Sequence, residues 1–142
     1  MKTQKFNFSE MICFSLYSTS NTMIREYRSE LAEYNLTYPQ FLVMMSLWNK
    51  DGVFIKDLTT QTLLDAATLT AILKKLNNKG FLQYERSPKD KRAKVVILTE
   101  TGKNLRLKTS HIFTNMECRV ELTKESQKQL ISTCHEILEN LS

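Results

Sequence analysis

The sequence predicts a mainly α-helical fold with one small β-hairpin, and two features of residues 63–98 carry that prediction. The first is a helix with four aliphatic side chains at the spacing of one helix face: Leu69, Ile72, Leu73 and Leu76. The second is a pair of strand-like segments, 81–86 and 94–98, joined by the turn-forming Ser-Pro-Lys-Asp sequence at 87–90. A helix followed directly by a hairpin is typical of a winged helix-turn-helix.

Three helices are predicted before this segment. The first is long, covers residues 9–33 and has apolar side chains along one side. The second begins at Thr37, which forms a predicted capping box with Gln40. This second helix is apolar on most sides, so we expect it to be buried. The third is short, 54–61, and residues 62–64 are the expected turn of the helix-turn-helix.

The fourth helix is predicted to begin after Asp65, whose carboxylate can accept the free N–H groups of a first helical turn. Gly80 lies where a helix end favours a residue that tolerates positive φ. Small residues occupy the side opposite the aliphatic stripe, which lets such a helix lie close to base edges. Lys74 and Lys75, near its other end, are expected to contact phosphates.

Two more helices follow the hairpin, one over residues 100–120 and one that Thr123 caps. We expect Cys134, on the last helix, to be a core residue. Helices of this length cannot all bury their apolar sides on a small winged unit, so we predict a homodimer. The predicted organisation is one domain, 1–142, with mainly dimerisation helices at 9–34 and 100–142 and a DNA-binding region at 37–98.

Basic residues are concentrated between positions 74 and 94, where the net charge is +6 although the whole chain carries only +5. A solvated helix face gives a similar cluster, but a basic cluster on a helix and hairpin is typical of binding to double-stranded DNA. The predicted DNA-binding residues are Asp65, Ala66, Ala67, Thr68, Thr70, Lys74, Lys75, Arg86, Lys89, Asp90, Lys91 and Arg92.

Composition excludes several other classes. The sequence has neither an apolar stretch of about 18 residues nor a leader-like beginning, so we expect a cytoplasmic protein without a membrane span. Three cysteines without a CxxC pair favour neither a disulfide framework nor a structural metal. Three glycines cannot supply a glycine-rich phosphate loop. We therefore expect no metal and no organic cofactor.

Four short sequences, in this order along the chain, resemble the MarR family of bacterial transcription regulators. They are LTYPQF at 36–41, LKKL at 73–76 with GFL at 80–82, DKR at 90–92 and LTETG at 98–102. The resemblance implies a triangular dimer of winged lobes whose recognition helices enter successive major grooves of a pseudo-palindromic operator. It also implies a wing in which Asp90 holds the guanidinium of Arg92 in a minor groove.

Within that family the chain is most similar to the thiol-based branch of the regulators OhrR, MgrA and SarZ. Cys13 matches the reactive cysteine of that branch, and a second set matches the tyrosines that hydrogen-bond it across the dimer: Tyr17, Tyr27 and Tyr38. A tyrosine O–H that donates to sulfur favours the thiolate, which is the form that attacks a peroxide. The position of Cys118 is similar to that of the resolving thiol in two-cysteine members. The resemblance therefore implies a repressor that releases its operator when Cys13 is oxidised by an organic hydroperoxide.

Alternatives to this interpretation remain at the sequence level. Cys13 could equally be a small apolar side chain in a helix interface. In another alternative, Cys118 is a buried residue without a redox role, and a small cellular thiol caps oxidised Cys13. A MarR-type regulator relieved by a small phenolic or lipophilic ligand has the same architecture. A thiol peroxidase would use Cys13 as its nucleophile. The sequence lacks the arginine-threonine-proline setting of such enzymes, so we do not expect an enzyme.

Overall fold

The structure is a computed structural model that describes residues 3–142, and it is mainly helical with a three-stranded antiparallel sheet. Its elements in chain order are α1 (Ile12–Leu31), α2 (Tyr38–Asn49), β1 (Val53–Phe54), α3 (Ile55–Thr62), α4 (Ala66–Asn78), β2 (Leu82–Arg86), β3 (Lys94–Leu98), α5 (Glu100–Val120) and α6 (Lys124–Leu141). The chain divides into two compact units, the first ending at Thr109 and the second comprising Ser110–Ser142. Helix α5 contributes residues to both. Within residues 3–142, no helix is long and apolar enough to cross a membrane.

The connection between α1 and α2, which we call the α1–α2 corner (residues 32–40), is fixed by local hydrogen bonds. Asn35 ends a short 3-10 turn in the left-handed region, with φ of 55°. The predicted capping box is confirmed: the Thr37 N–H donates to Gln40 Oε1 (3.2 Å), and the Gln40 N–H donates to Thr37 Oγ1 (3.4 Å). Gln40 is buried, so its amide is held in one position at the start of α2.

The sheet contains one strand that the sequence did not predict. Phe54 belongs to β1 rather than to the following helix, which begins at Ile55. The two residues of β1 pair with Val95 and Val96 of β3, and β3 also pairs with β2, which gives the order β1-β3-β2. Asp51 joins the turn before β1 to the end of β3, because its Oδ1 accepts the backbone N–H groups of Gly52 (2.8 Å) and Leu98 (2.9 Å).

The apolar face predicted for the fourth helix is confirmed, and it anchors α4 in the core of the first unit. Its four aliphatic side chains are buried and α4 contacts α2, α3 and β2. Burial of such a side chain stabilises a fold by about 1.5–3 kcal/mol. The stripe therefore fixes which side of α4 remains exposed.

Gly102, in the first turn of α5, allows a close backbone approach. A Cβ atom at this position would lie 1.9 Å from the carbonyl oxygen of Phe81, just before β2. The Thr99 N–H donates to that same oxygen (3.1 Å), and Trp48 Nε1 donates to the carbonyl oxygen of Gly102 (2.9 Å). These bonds join the base of the hairpin and α2 to the start of α5.

The second unit consists of the end of α5 and all of α6, which Thr123 caps through the Ser126 N–H (3.1 Å). None of the residues of α6 is buried. The expectation that Cys134 is a core residue is therefore wrong for the single chain, where it is half-buried. Ile131 and Leu138 are also about half exposed, at 47% and 51%, because this unit contains too few elements to cover the apolar side of α6.

Candidate DNA-reading surface and thiol site

Helix α4 presents the small and basic residues predicted for DNA contact. Whereas the aliphatic stripe of the same helix is buried, all six are exposed: Ala66, Ala67, Thr68, Thr70, Lys74 and Lys75. An exposed helix face without bulky side chains can approach the edges of base pairs in a major groove. We call these six residues, together with the exposed basic residues of the hairpin, the reading surface.

Asp65 fixes the first turn of this helix rather than offering a free carboxylate. Its Oδ1 accepts the Thr68 N–H (2.8 Å) and its Oδ2 accepts the Thr68 hydroxyl (2.7 Å), so the predicted cap is confirmed. The Thr68 side-chain bond is the main reason that the pKa of Asp65 lies below its usual range. The Thr70 hydroxyl donates to the carbonyl oxygen of Ala66 (2.8 Å). Both threonine hydroxyls thus have acceptors within the helix, which leaves their methyl groups for apolar contact with thymine.

The hairpin of β2 and β3, which is the wing of the fold, places two like charges opposite each other. Arg86 pairs in register with Lys94, and both side chains are exposed. Like charges directly across a strand pair are unfavourable. A bound anion such as a phosphate group would relieve that repulsion. Lys94 was not among the predicted contact residues, and only the strand register shows that it faces Arg86.

The tip of the wing is ordered by backbone bonds, and one of them corrects a sequence-based expectation. Asp90 Oδ1 accepts the backbone N–H of Arg92 (3.0 Å), not its guanidinium as the family resemblance implied. The Ala93 N–H donates to the carbonyl oxygen of Asp90 (3.1 Å), and the Ser87 N–H donates to that of Ala93 (2.9 Å). Asp90 therefore shapes the turn, while Lys89, Lys91 and Arg92 are exposed at the tip.

The basic cluster is divided by burial. Of its eight basic residues, seven are exposed and Lys79 is partly buried. Its ammonium group donates to the carbonyl oxygen of Asn35 and to Gln40 Oε1 (2.9 Å), both in the α1–α2 corner. The sequence does not predict these bonds, because it does not show whether a lysine at the end of a basic helix faces solvent or the protein.

Two of the predicted sensor tyrosines lie together in the first unit. Tyr27 on α1 is only 5% exposed, and its ring centroid lies 4.8 Å from that of Tyr38 and 6.3 Å from that of Phe41. Burial raises the pKa of Tyr38, so its hydroxyl remains a protonated donor over a wider pH range. The Tyr38 hydroxyl is thus suited to donate a hydrogen bond to an acceptor that approaches it.

Cys13 lies near the beginning of α1 and is exposed, as is Tyr17 one helical turn later. Fourteen residues of the same helix separate Cys13 from Tyr27. Since an α-helix rises about 1.5 Å per residue, their Cα atoms are about 21 Å apart. A thiol and a tyrosine hydroxyl of one chain cannot meet over that distance. Any bond between Cys13 and the Tyr27–Tyr38 pair must therefore join two chains.

Cys118 is exposed on the part of α5 that belongs to the second unit. Gln127 Nε2 on α6 donates to Glu117 Oε1 (3.2 Å), which places Cys118 beside the first turn of α6. Cys134 lies seven residues beyond Gln127, or about 10 Å along that helix. A bridge between these two cysteines of one chain would exceed the Cα separation of about 7 Å that a disulfide allows.

Metal-ligating residues are dispersed over the part of the chain that the structure describes, where no three His, Cys, Asp or Glu side chains converge on a possible ion site. The sequence did not predict that Asp51 accepts two backbone N–H groups and so holds the end of β3. It predicted the turn at residues 62–64, but not the conformation of Leu63 within that turn. Leu63 adopts a left-handed conformation (φ 58°). A glycine at that place would have indicated a positive φ, whereas a leucine gives no such indication.

Comparison with known proteins agrees with this architecture. A sequence model of the family described as transcriptional regulator SarA/Rot matches residues 25–108. The organic hydroperoxide resistance transcriptional regulator of Bacillus subtilis is 33% identical over 99% of this chain and 95% of its own length. The HTH-type transcriptional regulator SarZ of Staphylococcus haemolyticus is 33% identical over 93% of this chain and 90% of its own.

Among solved structures, AbfR of Staphylococcus epidermidis has a TM-score of 0.75 and 27% identity, covering 94% of this chain and 92% of its own. A structure of reduced AbfR bound to DNA aligns with a TM-score of 0.77 at 26% identity, over 94% of this chain and 93% of its own. A structure of disulfide-formed AbfR aligns with a TM-score of 0.69 at 25% identity, over 92% of this chain and 91% of its own. The winged architecture predicted from the sequence is confirmed, and the chain belongs to the MarR/SarA-type family of winged-helix, DNA-binding transcriptional regulators.

Proposed function

We propose that two copies of this chain bind a pseudo-palindromic DNA operator as a repressor and release it when Cys13 is oxidised by an organic hydroperoxide. The observation that carries the DNA part is the capped helix α4, whose small, exposed face ends in two free lysines beside a basic wing. Threonine methyls and alanines would contact bases, while Lys74 and Lys75 would contact phosphates. Arg92 at the wing tip would enter an adjacent minor groove.

The dimer is supported by where apolar side chains remain uncovered. Large apolar residues are exposed in the flanking helices, on α1 and on α5 and α6: Ile12, Phe14, Leu16, Tyr17, Phe113, Leu130, Ile131, Leu138 and Leu141. A second copy that covers these side chains would gain about 25 cal/mol for each Å² of apolar surface buried. We assign residues 9–34 and 100–142 to dimerisation and 37–98 to DNA binding on this basis.

The thiol part is supported by the exposure of Cys13, and its separation from the Tyr27–Tyr38 pair of its own chain means that the partner would supply the tyrosines. In the proposed dimer, the tyrosine pair of one protomer donates to the Cys13 sulfur of the other. Tyr17 lies one helical turn from Cys13 on the same helix. These donors favour the thiolate. The similarity to an organic hydroperoxide resistance regulator indicates which oxidant to test first.

The chemistry proceeds in two balanced steps. The Cys13 thiolate attacks the terminal oxygen of the hydroperoxide, the O–O bond breaks, and the thiolate becomes a sulfenic acid while the alkoxide leaves and takes a proton from water to become an alcohol. The Cys118 thiolate of the partner subunit then attacks the Cys13 sulfur, the S–O bond breaks, and a disulfide forms while the departing hydroxide takes up a proton to become water. Because a disulfide requires Cα atoms within about 7 Å, closing it would move the helices that set the spacing of the two α4 helices.

The experiment that tests this proposal is a fluorescence-anisotropy titration with a duplex obtained by in vitro selection with the reduced protein. Reduced wild type should bind the duplex tightly, and one equivalent of cumene hydroperoxide should release it. Cys13→Ser should bind equally well and stay bound after the peroxide is added. Release of the Cys13→Ser protein would overturn the thiol assignment, and relief by a phenolic ligand would then be the function to test.

The assignment of Cys118 has its own test by non-reducing electrophoresis after stoichiometric peroxide. Wild type and Cys134→Ser should migrate as covalent dimers, whereas Cys13→Ser and Cys118→Ser should migrate as monomers. Covalent dimers that persist in Cys118→Ser would remove Cys118 from the mechanism while leaving Cys13 as the sensor.

A further inference from the structure

Lys79 differs from the other basic residues of its segment in the direction of its hydrogen bonds. It follows the last residue of α4, and its ammonium group donates to two acceptors outside that helix, the carbonyl oxygen of Asn35 and the side-chain oxygen of Gln40. Removal from water lowers the pKa of Lys79, and the charge of Lys75 lowers it further. This lysine binds the protein itself rather than extending the reading surface.

The acceptors of Lys79 belong to the most constrained part of the α1–α2 corner. Asn35 is held in the left-handed region, so the direction of its carbonyl group is fixed. Gln40 Oε1 accepts two hydrogen bonds, from the Thr37 N–H that begins α2 and from Lys79. A single buried amide oxygen therefore joins the start of α2 to the end of α4.

The same corner carries one of the tyrosines assigned to the sensor. Tyr38 is the first residue of α2, two positions before Gln40, and its ring packs on Tyr27 at 4.8 Å. A shift of Tyr38 would displace the first turn of α2, and with it the amide oxygen to which Lys79 donates. The end of α4 would be displaced through that bond.

We infer that Lys79 is a positioning residue that transmits displacements of the Tyr27–Tyr38 pair to helix α4, and so couples the sensor to the reading surface. The inference rests on the proposed function only for what displaces Tyr38, namely oxidation of Cys13. The contacts from Tyr38 through Gln40 and Lys79 to α4 do not depend on that proposal. Helix α4 is continuous from Ala66 to Asn78, so a displacement of its end would be carried along its axis. A perturbation applied at Tyr38 without any oxidant should therefore travel the same way.

The test is a thermodynamic cycle on DNA affinity that combines Tyr38→Leu with Lys79→Met, using the same selected duplex. Leucine removes the ring contact and keeps apolar bulk, while methionine keeps the stem of Lys79 and removes its donors. Tyr38→Leu should raise the Kd in the wild-type background, and this effect should be at least about threefold smaller with Lys79→Met. Lys79→Arg, which retains charge and donors, should restore the full effect. Circular dichroism verifies folding, and Lys79→Gln replaces Lys79→Met if that variant is unfolded.

Lys75→Met provides the matched control. It removes one positive charge from the same helix at an exposed position, so it should weaken binding and leave the effect of Tyr38→Leu unchanged. Coupling of equal size for Lys75→Met and Lys79→Met would mean that charge alone explains the result and would overturn the inference. So would additive effects of Tyr38→Leu and Lys79→Met.

An oxidant arm separates this inference from the proposed function. The ratio of Kd after peroxide to Kd before it should fall toward one in Lys79→Met and should not change in Lys75→Met. A wild type that ignores peroxide, together with a non-additive cycle, would refute the thiol mechanism and support the role of Lys79. A wild type that responds to peroxide, together with an additive cycle, would support the thiol mechanism and refute the role of Lys79.

Discussion

The DNA-reading segment, residues 37–98, and the helices on either side of it differ in how their apolar side chains are covered. In the reading segment, the aliphatic stripe of α4 and four apolar residues of α2 are buried within the chain: Phe41, Val43, Met44 and Leu47. On α6 no residue is buried, and large apolar side chains of α1 are exposed. The reading segment thus buries its main apolar face in one copy, whereas the flanking helices leave large apolar side chains that the proposed dimer would cover.

This difference separates two kinds of stability within one chain. A fold with a complete core depends on its own packing, and damage there lowers the free energy of unfolding directly. Helices whose apolar faces are covered by another protomer depend on protein concentration as well. Three variants, given in order of decreasing expected effect, test this difference.

The largest effect is expected from Ile131→Glu combined with Leu138→Glu on α6. Each dimer loses four apolar side chains that are about half exposed in one chain, so each contributes about half of the 1.5–3 kcal/mol of full burial, and dimerisation should weaken by about 3–6 kcal/mol. Sedimentation velocity should show a monomer, while the intrinsic fluorescence of Trp48 should show that the reading segment is still folded. Lys128→Glu changes the charge as much as the pair does and should stay dimeric. A dimeric double variant would mean that α6 does not form the interface.

An intermediate effect is expected from Gly102→Ala, which acts inside the first unit. The added Cβ would collide with the Phe81 carbonyl oxygen, and relief requires the hairpin base and α5 to separate. We expect a loss of about 3 kcal/mol in the free energy of unfolding, measured by urea titration. Gly52→Ala is the control, since it meets no atom within 4 Å and its positive φ costs about 1–2 kcal/mol. Equal unfolding midpoints for the two variants would contradict this account of Gly102.

The smallest effect is expected from Arg92→Ala at the wing tip. Its backbone N–H is held by Asp90, so loss of the side chain should leave the fold and the dimer unchanged. Operator affinity should fall by about 1–3 kcal/mol, as measured by anisotropy at fixed salt. Lys124→Ala, an exposed lysine on α6, removes the same charge far along the sequence and should bind like wild type. An unchanged affinity of the Arg92 variant would exclude it from the reading surface.

Much of the reading segment follows from local sequence because its signals are local. Asp65 caps the nearest helix, the aliphatic stripe repeats within one helix, and Thr37 and Gln40 bond to each other. Each of these interactions spans a few residues, so propensity and spacing suffice to predict it. The observed boundaries of the predicted helices and strands in this segment accordingly agree with the predicted ones to within one or two residues.

Long-range interactions were not predictable in the same way. Strand β1 has two residues and exists because Val95 and Val96 pair with it from more than 40 residues away. The direction of Lys79 depends on a carbonyl group at Asn35, and Asp90 prefers a backbone N–H over the guanidinium that the family resemblance suggested. The burial of Cys134 was overestimated because periodicity shows that a face is apolar, but not which chain covers it.

The distance of about 21 Å between Cys13 and Tyr27 of one chain also has a genetic consequence. In the proposed dimer, each sensing site combines the thiol of one subunit with the tyrosines of the other. An allele that lacks the thiol and an allele that lacks the tyrosine are then each unresponsive alone. In a cell that expresses both, a mixed dimer contains one site with neither defect and one site with both. Two inactive alleles would therefore complement each other, which a site built within a single chain does not permit.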